Sequence, residues 1–247
     1  MWTRRNLIRL LLLLAVVGVF AAVRALMQPY SPDAEALEAM RGGSGVSVTE
    51  SKEWIVFEPR NGKRPDVLFY PGGLVRPESY APLALSLAQE GYRTWIIKMP
   101  LNLAVLGINR ADKVIELLPK QTYVIGGHSL GGVMAVRYAS GNAGRVKGVF
   151  FLAAYADKRG SLRSAPLSAL SLVGTEDGVL NRQVFERGKD FLPEQTEYAE
   201  ITGGNHAGFG NYGKQKGDYP PLIAPDKQRS ITVSLLVNWL EKLEAKE

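Results

Sequence analysis

The chain contains no cysteine. That excludes disulfides, thiolate metal sites and a cysteine nucleophile in one step. Histidine is almost as scarce: His128 and His206 are the only two in 247 residues. Any chemistry that needs an imidazole base therefore has a narrow choice. Internal repeats and long low-complexity tracts are missing as well. The net charge of +6 invites the idea of an anionic partner, but Arg4, Arg5, Arg9 and Arg24 fall in a stretch without any acidic residue. The basic excess is largely a property of the N-terminus, and nucleic-acid binding does not follow from it.

What remains is an ordinary globular composition, with 46% apolar and 22% charged residues. The length suits one sizeable domain with a proper core and is short for two.

Residues 1–9 are positively charged, and residues 10–23 form an unbroken apolar run. This is the pattern of a secretory signal peptide or an uncleaved signal anchor. The run is short for a membrane span of about 20 residues, although counting from Leu7 with Arg9 snorkelling brings it near that length. The triplets Val19-Phe20-Ala21 and Val23-Arg24-Ala25 are weak cleavage sites, and Arg4-Arg5 weakly matches a twin-arginine signal. A buried core helix is the remaining reading. Residues 1–30 are thus expected to be a leader or anchor, with the following domain outside the cytoplasm. Residues 31–45 are expected to be a short helix to about Met40, with N-cap and first-turn chemistry in Ser31-Pro32-Asp33, followed by a Gly-rich linker, and residues 46–247 the catalytic domain.

From Val46 onward, strands and helices alternate. Strands are predicted over 46–49, 54–58, 66–70, 94–97, 123–125, 149–152, 169–173 and 197–201. Helices are predicted from Tyr80 to Gly91 and over 103–118, 130–140, 181–191 and 231–243. Nearly continuous apolar strands of this kind imply a mostly parallel sheet with helices on both faces, an α/β fold. Ligands bind such sheets beyond the carboxyl ends of the strands.

The segment Gly127-His128-Ser129-Leu130-Gly131 is a G-x-S-x-G sequence between a predicted strand and a predicted helix, the context of a nucleophile elbow. A sharp strand-to-helix turn puts the serine in a strained conformation, and its neighbours must be glycine to avoid clashes. A serine hydroxyl needs a base. His128 shares the turn with Ser129 and reads as a packing residue. His206, in Gly203-Gly204-Asn205-His206-Ala207-Gly208 after the last strand, completes the order serine, acid, histidine. Asp177, in the turn before Gly178, is the first choice for the acid, with Glu176 and Asp157 as alternatives. Its task is to hold the imidazole tautomer and stabilise the imidazolium. The oxyanion donors are expected to be the N–H groups of Leu130 and of Gly73 in the Pro71-Gly72-Gly73-Leu74 loop, with Leu74 as second choice; proline has no N–H. Asn102, Tyr155, Phe209 and Tyr212 are candidates for the pocket rim, or else for loop packing.

These residues resemble the α/β-hydrolase superfamily, and more narrowly the compact bacterial hydrolases called dienelactone-hydrolase-like. The stretches 70–73, 98–106, 126–132 and 203–210 carry the likeness, which covers roughly residues 66 to 245. The resemblance implies the α/β-hydrolase fold and hydrolysis of an ester or related acyl bond through an acyl-enzyme. Dienelactone hydrolases use a cysteine nucleophile, which this chain lacks. With little sequence between the strands ending near Ala154 and starting near Leu167, no large cap is expected.

The resulting expectation is a serine hydrolase of the carboxylesterase type acting on a small-molecule acyl substrate. It needs no metal or organic cofactor, and its N-terminal segment associates with a membrane or directs export. A peptidase or thioesterase with the same triad is the rival within enzymes. A catalytically silent binding module on the same scaffold is the rival from another class.

Overall fold

The computed structural model describes residues 4–26, 28–43 and 45–245. Its centre is an eight-stranded sheet in the order β1-β2-β4-β3-β5-β6-β7-β8. The strands are β1 (Val46–Glu50), β2 (Trp54–Pro59), β3 (Lys63–Tyr70), β4 (Tyr92–Ile97), β5 (Tyr123–His128), β6 (Gly148–Leu152), β7 (Ser168–Gly174) and β8 (Glu197–Ile201). The first two are antiparallel to their neighbours. From β4 onward every pairing is parallel.

The period-2 alternation of the strands sorts their side chains onto two faces. Val67 and Phe69 of β3, Ile96 of β4 and Phe150 of β6 join one cluster. It is covered by α3 (Ala81–Gln89), through Leu83 and Leu87, and by α7 (Pro225–Glu244), through Leu236, Trp239 and Leu240. Leu68, Tyr70, Trp95, Ile97, Val149 and Phe151 point the other way. On that side lie α4 (Asp112–Leu117) and α5 (Leu130–Gly141), with Val114, Val133 and Val136. Trp239 is among the largest fully buried side chains; truncating such a residue to alanine costs about 3–5 kcal/mol. The short α6 (Arg182–Gly188) seats Phe185 against Val173 and Leu180. Between β6 and β7 the only regular element is a 3-10 turn at Lys158–Gly160, so no cap domain is inserted there.

Two predicted helices differ from what formed. The stretch expected to be helical over 103–118 is a series of 3-10 turns up to Ala111, and only α4 is α-helical. Leu101 and Asn102 have positive φ, and Leu103 and Gly107 are non-helical, which breaks the hydrogen-bond ladder that the apolar spacing alone would suggest. The final helix starts earlier than residue 231, because Pro225 takes the first position, where its missing N–H is not needed.

The segment ahead of β1 packs onto the domain. The helix α2 (Ala34–Ala39) is capped by Asp33, whose carboxylate accepts from the Ala36 N–H at 2.8 Å. Ala36 and Ala39 are buried. Tyr30 donates its N–H to Leu74 (2.7 Å) and accepts from Arg76 (3.1 Å). The N-terminal helix α1 (Arg4–Leu26) exposes Leu11, Leu12, Leu13 and Val16 at 58–65%, so the buried-core reading does not hold for this part of the run. Among the described residues no helix is long and apolar enough to cross a membrane. Met1 to Thr3, part of the expected leader, lie outside the described residues.

Candidate active site

Parallel strands deliver their following loops to one edge of the sheet, and backbone strain gathers there. Among the described residues, those other than glycine with positive φ are Leu74 after β3, Leu101 and Asn102 after β4, Ser129 after β5 and Ala153 after β6. Each such conformation costs of order 1–3 kcal/mol and persists only where surrounding structure enforces it.

Ser129 occupies the junction of β5 and α5 with φ 51° and ψ −124°. Its N–H donates to Leu152 (2.9 Å), continuing the β5–β6 ladder, and its carbonyl accepts from Val133, opening the helix. The flanking glycines are required by contact. A Cβ on Gly127 would lie 2.3 Å from the Tyr70 carbonyl oxygen, and one on Gly131 2.1 Å from the same atom. The turn holds its shape because β3 runs directly beside it.

The acid and the histidine arrive on the next loops. Asp177 follows β7 and His206 follows β8. His206 Nδ1 lies 2.8 Å from Asp177 Oδ2, and both side chains are fully buried. The other carboxylate oxygen, Oδ1, accepts the N–H groups of Val179 (2.9 Å) and Leu180 (2.7 Å). That leaves Oδ2 to receive the imidazole N–H. His206 Nε2 is buried without a hydrogen-bond partner, and His206 and Ser129 line the same cleft. No hydrogen bond closes between Nε2 and the serine hydroxyl, and such bonds commonly tighten only when substrate is bound. The alternative acids are engaged elsewhere. Glu176 accepts from the neighbouring Thr175 hydroxyl (3.1 Å), and Asp157 pairs with Arg137.

On the facing side, the loop after β3 approaches the start of α5. A Cβ on Gly73 would lie 3.0 Å from the Leu130 side chain, so the two backbones are close neighbours. Leu74 donates its N–H to Asn102 (2.8 Å), which removes it as a free donor. The N–H groups of Gly73 and Leu130 have no such partner among the described residues, and the Leu130 group sits at the positive end of the α5 dipole.

His128 points away from the cleft. Its Nδ1 is 2.8 Å from the Tyr80 hydroxyl, which itself accepts the Gly72 N–H at 2.9 Å. Tyr80 therefore gives its proton to Nδ1, and His128 carries its own on Nε2. Burial and the adjacent His206 hold the His128 imidazole well below its ordinary pKa near 6.5, so the ring is neutral. The two imidazoles lie 4.6 Å apart, centroid to centroid.

Of the four candidate rim residues, Tyr155 lines the cleft. The other three do not. Phe209 is buried and packs against His128 at 5.9 Å between ring centroids. Tyr212 is buried too, tilted against Tyr30 at 5.5 Å. Asn102 serves through its carbonyl. The aromatic residues after His206 turn inward because the 3-10 turn Ala207–Phe209 folds them under the histidine.

One residue escaped the sequence reading. Asp218 accepts the N–H groups of Gly178 (3.1 Å), His206 (3.3 Å), Ala207 (2.8 Å) and Tyr219 (3.0 Å). It ties the loop that carries Asp177 to the loop that carries His206. No periodicity or motif marks it.

Against known proteins, a family model described as "Alpha/beta hydrolase family" matches residues 66–230. No curated protein matches the chain by sequence. Among solved structures, the chain resembles MGS-MChE2, an alpha/beta hydrolase enzyme from a lagoon-sediment metagenome, with TM-score 0.60 and 13% identity, covering 80% of this chain and 99% of that one. It also resembles a dienelactone hydrolase from Anabaena variabilis (TM-score 0.59, 14% identity, 80% and 100% covered). A third similar structure is carboxylesterase CesB from Bacillus subtilis (0.53, 13%, 82% and 94%).

Proposed function

Because the chain belongs to the alpha/beta hydrolase family, we propose that it is a serine hydrolase that cleaves a carboxylic ester through an acyl-enzyme. The observation that carries this reading is the buried His206–Asp177 pair, 2.8 Å apart, whose free Nε2 shares a cleft with a serine on a strained elbow.

In the reaction, Ser129 Oγ forms a bond to the acyl carbon while its proton passes to His206 Nε2. The charge that develops on the carbonyl oxygen is stabilised by the N–H groups of Leu130 and Gly73. The tetrahedral adduct collapses by breaking the bond to the alcohol oxygen, which takes the proton from His206. Water then repeats the sequence on the acyl-enzyme, giving the free acid and restoring Ser129. Asp177 keeps the imidazole in the Nδ1–H tautomer and stabilises the imidazolium without itself becoming protonated.

A fluorophosphonate probe tests the nucleophile. Wild-type protein is expected to label covalently and Ser129→Ala not to label; labelling that survives the substitution would overturn the assignment. A parallel panel of p-nitrophenyl esters, thioesters and peptide substrates separates an esterase from a thioesterase or peptidase.

The proposal extends to location. The exposed apolar run of α1, preceded by Arg4, Arg5 and Arg9, fits the apolar core of an export signal, which needs only about 7–15 residues. Fractionation of the producing cells, with N-terminal sequencing of the recovered protein, checks it. Full-length protein confined to the cytoplasm would refute export.

A further inference from the structure

The cleft above Ser129 has a volume of about 460 Å³ and a direction. Val133, Met134 and Arg137, all on its wall, follow Ser129 by four, five and eight positions along α5. At 1.5 Å per residue, the distance along the helix from Ser129 to Arg137 is about 12 Å. Over that length the wall is mostly apolar, with Val133 and Met134 on the helix and Val105 and Leu180 from the neighbouring loops, beside Tyr155 and Asn181. At the far end stands an ion pair. Arg137 donates from Nε (3.3 Å) and from its terminal nitrogen to the two oxygens of Asp157.

The charges of this pair cancel one another. Burial alone would raise the Asp157 carboxyl, but the bonds from Arg137 and from the Gly160 N–H hold it below the usual carboxylate range. The pair is therefore ionised and self-satisfied at neutral pH. It offers no spare cation to an anionic substrate, and it ends the apolar surface with a group that a hydrocarbon tail cannot displace without stripping a paired charge.

We infer that this trough is an acyl-chain site, and that the enzyme prefers esters of uncharged straight-chain acids of medium length, with Arg137 and Asp157 as the end-stop. The inference rests on Ser129 being the nucleophile. The leaving oxygen faces His206, which protonates it, and the α5 wall of the same cleft is assigned to the acyl side. An extended chain advances about 1.25 Å per carbon, given C–C bonds near 1.5 Å, so about ten carbons reach the pair.

The test is a ladder of p-nitrophenyl esters from acetate to palmitate, assayed below their aggregation limits with the full chain. Each buried methylene can raise kcat/KM by up to about fourfold. The expected profile therefore rises at least tenfold from acetate, peaks near eight to ten carbons and drops at least tenfold by palmitate. The double variant Arg137→Met, Asp157→Asn removes the end-stop while keeping an acceptor for the Gly160 N–H. Its peak is expected to move two or more carbons longer. Val105→Arg, on an exposed part of the wall, is expected to lower the octanoate-to-acetate ratio at least tenfold, and it is a second check if the double variant does not fold.

A profile that is flat or highest at acetate overturns the inference, as does a peak that stays in place in the double variant or chain-length selection on the alcohol side instead. Fluorophosphonate labelling separates the two levels. Ser129 that labels while the ladder is flat refutes only the acyl-chain site, whereas absence of labelling refutes the serine-hydrolase reading beneath it.

Discussion

Asp177 holds His206 with one carboxylate oxygen and its own loop with the other: Oδ2 lies 2.8 Å from Nδ1, while Oδ1 takes the N–H groups of Val179 and Leu180. This division of labour makes the residue sensitive to an isosteric change. In Asp177→Asn the oxygen remains with the backbone donors, and the amide NH₂ faces Nδ1. His206 must then carry its proton on Nε2, the nitrogen that receives the serine proton in the proposed reaction. We expect kcat to fall by about 10³- to 10⁴-fold with the fold intact. Steady-state kinetics on a p-nitrophenyl ester, beside a circular dichroism melt, measures both.

Asp218 accepts three backbone N–H groups from the loops that carry Asp177 and His206, and a fourth from its neighbour Tyr219. Asp218→Ala leaves those donors without their acceptor. Bonds to a charged group contribute about 1.5–3 kcal/mol each, with water recovering part of the loss at this half-exposed position. We expect a loss of about 2–3 kcal/mol in a urea titration, and a drop in kcat that Asp218→Asn partly rescues.

Tyr80 links the Gly72 N–H to His128 Nδ1, and Gly72 precedes Gly73 in the loop that faces Leu130. Tyr80→Phe removes the bridging oxygen and leaves two buried polar groups unpaired, which costs about 1–3 kcal/mol each. The expected result is a kcat lowered roughly tenfold, with KM changed much less, because oxyanion donors act mainly on the transition state. An unchanged kcat would show that the loop holds its position without the bridge.

His128 gives a pH signature. Its folded pKa lies well below 6.5, because it is buried and adjoins His206. A depressed folded pKa contributes stability that is present above the unfolded value and lost as pH falls through the interval down to the folded one. Below about pH 6.5 the unfolded chain takes up a proton that the folded chain refuses, at up to about 1.4 kcal/mol per pH unit. His128→Asn, which can still accept from Tyr80, is expected to reduce the loss of stability between pH 6.5 and 5 by that slope. Urea midpoints across the interval provide the comparison.

Much of this architecture was legible in the sequence. The strands around the site are short apolar runs ended by Gly-containing turns, and such runs have few other uses. Ser129 stands directly after β5, and Asp177 and His206 follow the ends of β7 and β8 within five residues, where chain order narrows the choice. The stretch over 103–118 misled because its apolar spacing is helical while its backbone is broken at Leu103 and Gly107. The direction of Phe209 and Tyr212 was illegible for another reason. An aromatic residue after a strand end can face the cleft or the core, and only the turn following His206 decides between them. Asp218 was hidden because its partners are backbone N–H groups, which every residue type carries.

The clamp on Tyr30 bears on how the N-terminal helix communicates with the rest of the molecule. Tyr30 is bonded on both sides, to Leu74 and to Arg76, in the same loop as Gly73. The helix α1 ends at Leu26, so the leash from its end to the clamp is at most about 14 Å long. Whatever holds the helix therefore also restrains, within one leash length, the loop that faces Leu130. A chain beginning at Ser31 would lose both of these bonds and release that side of the loop.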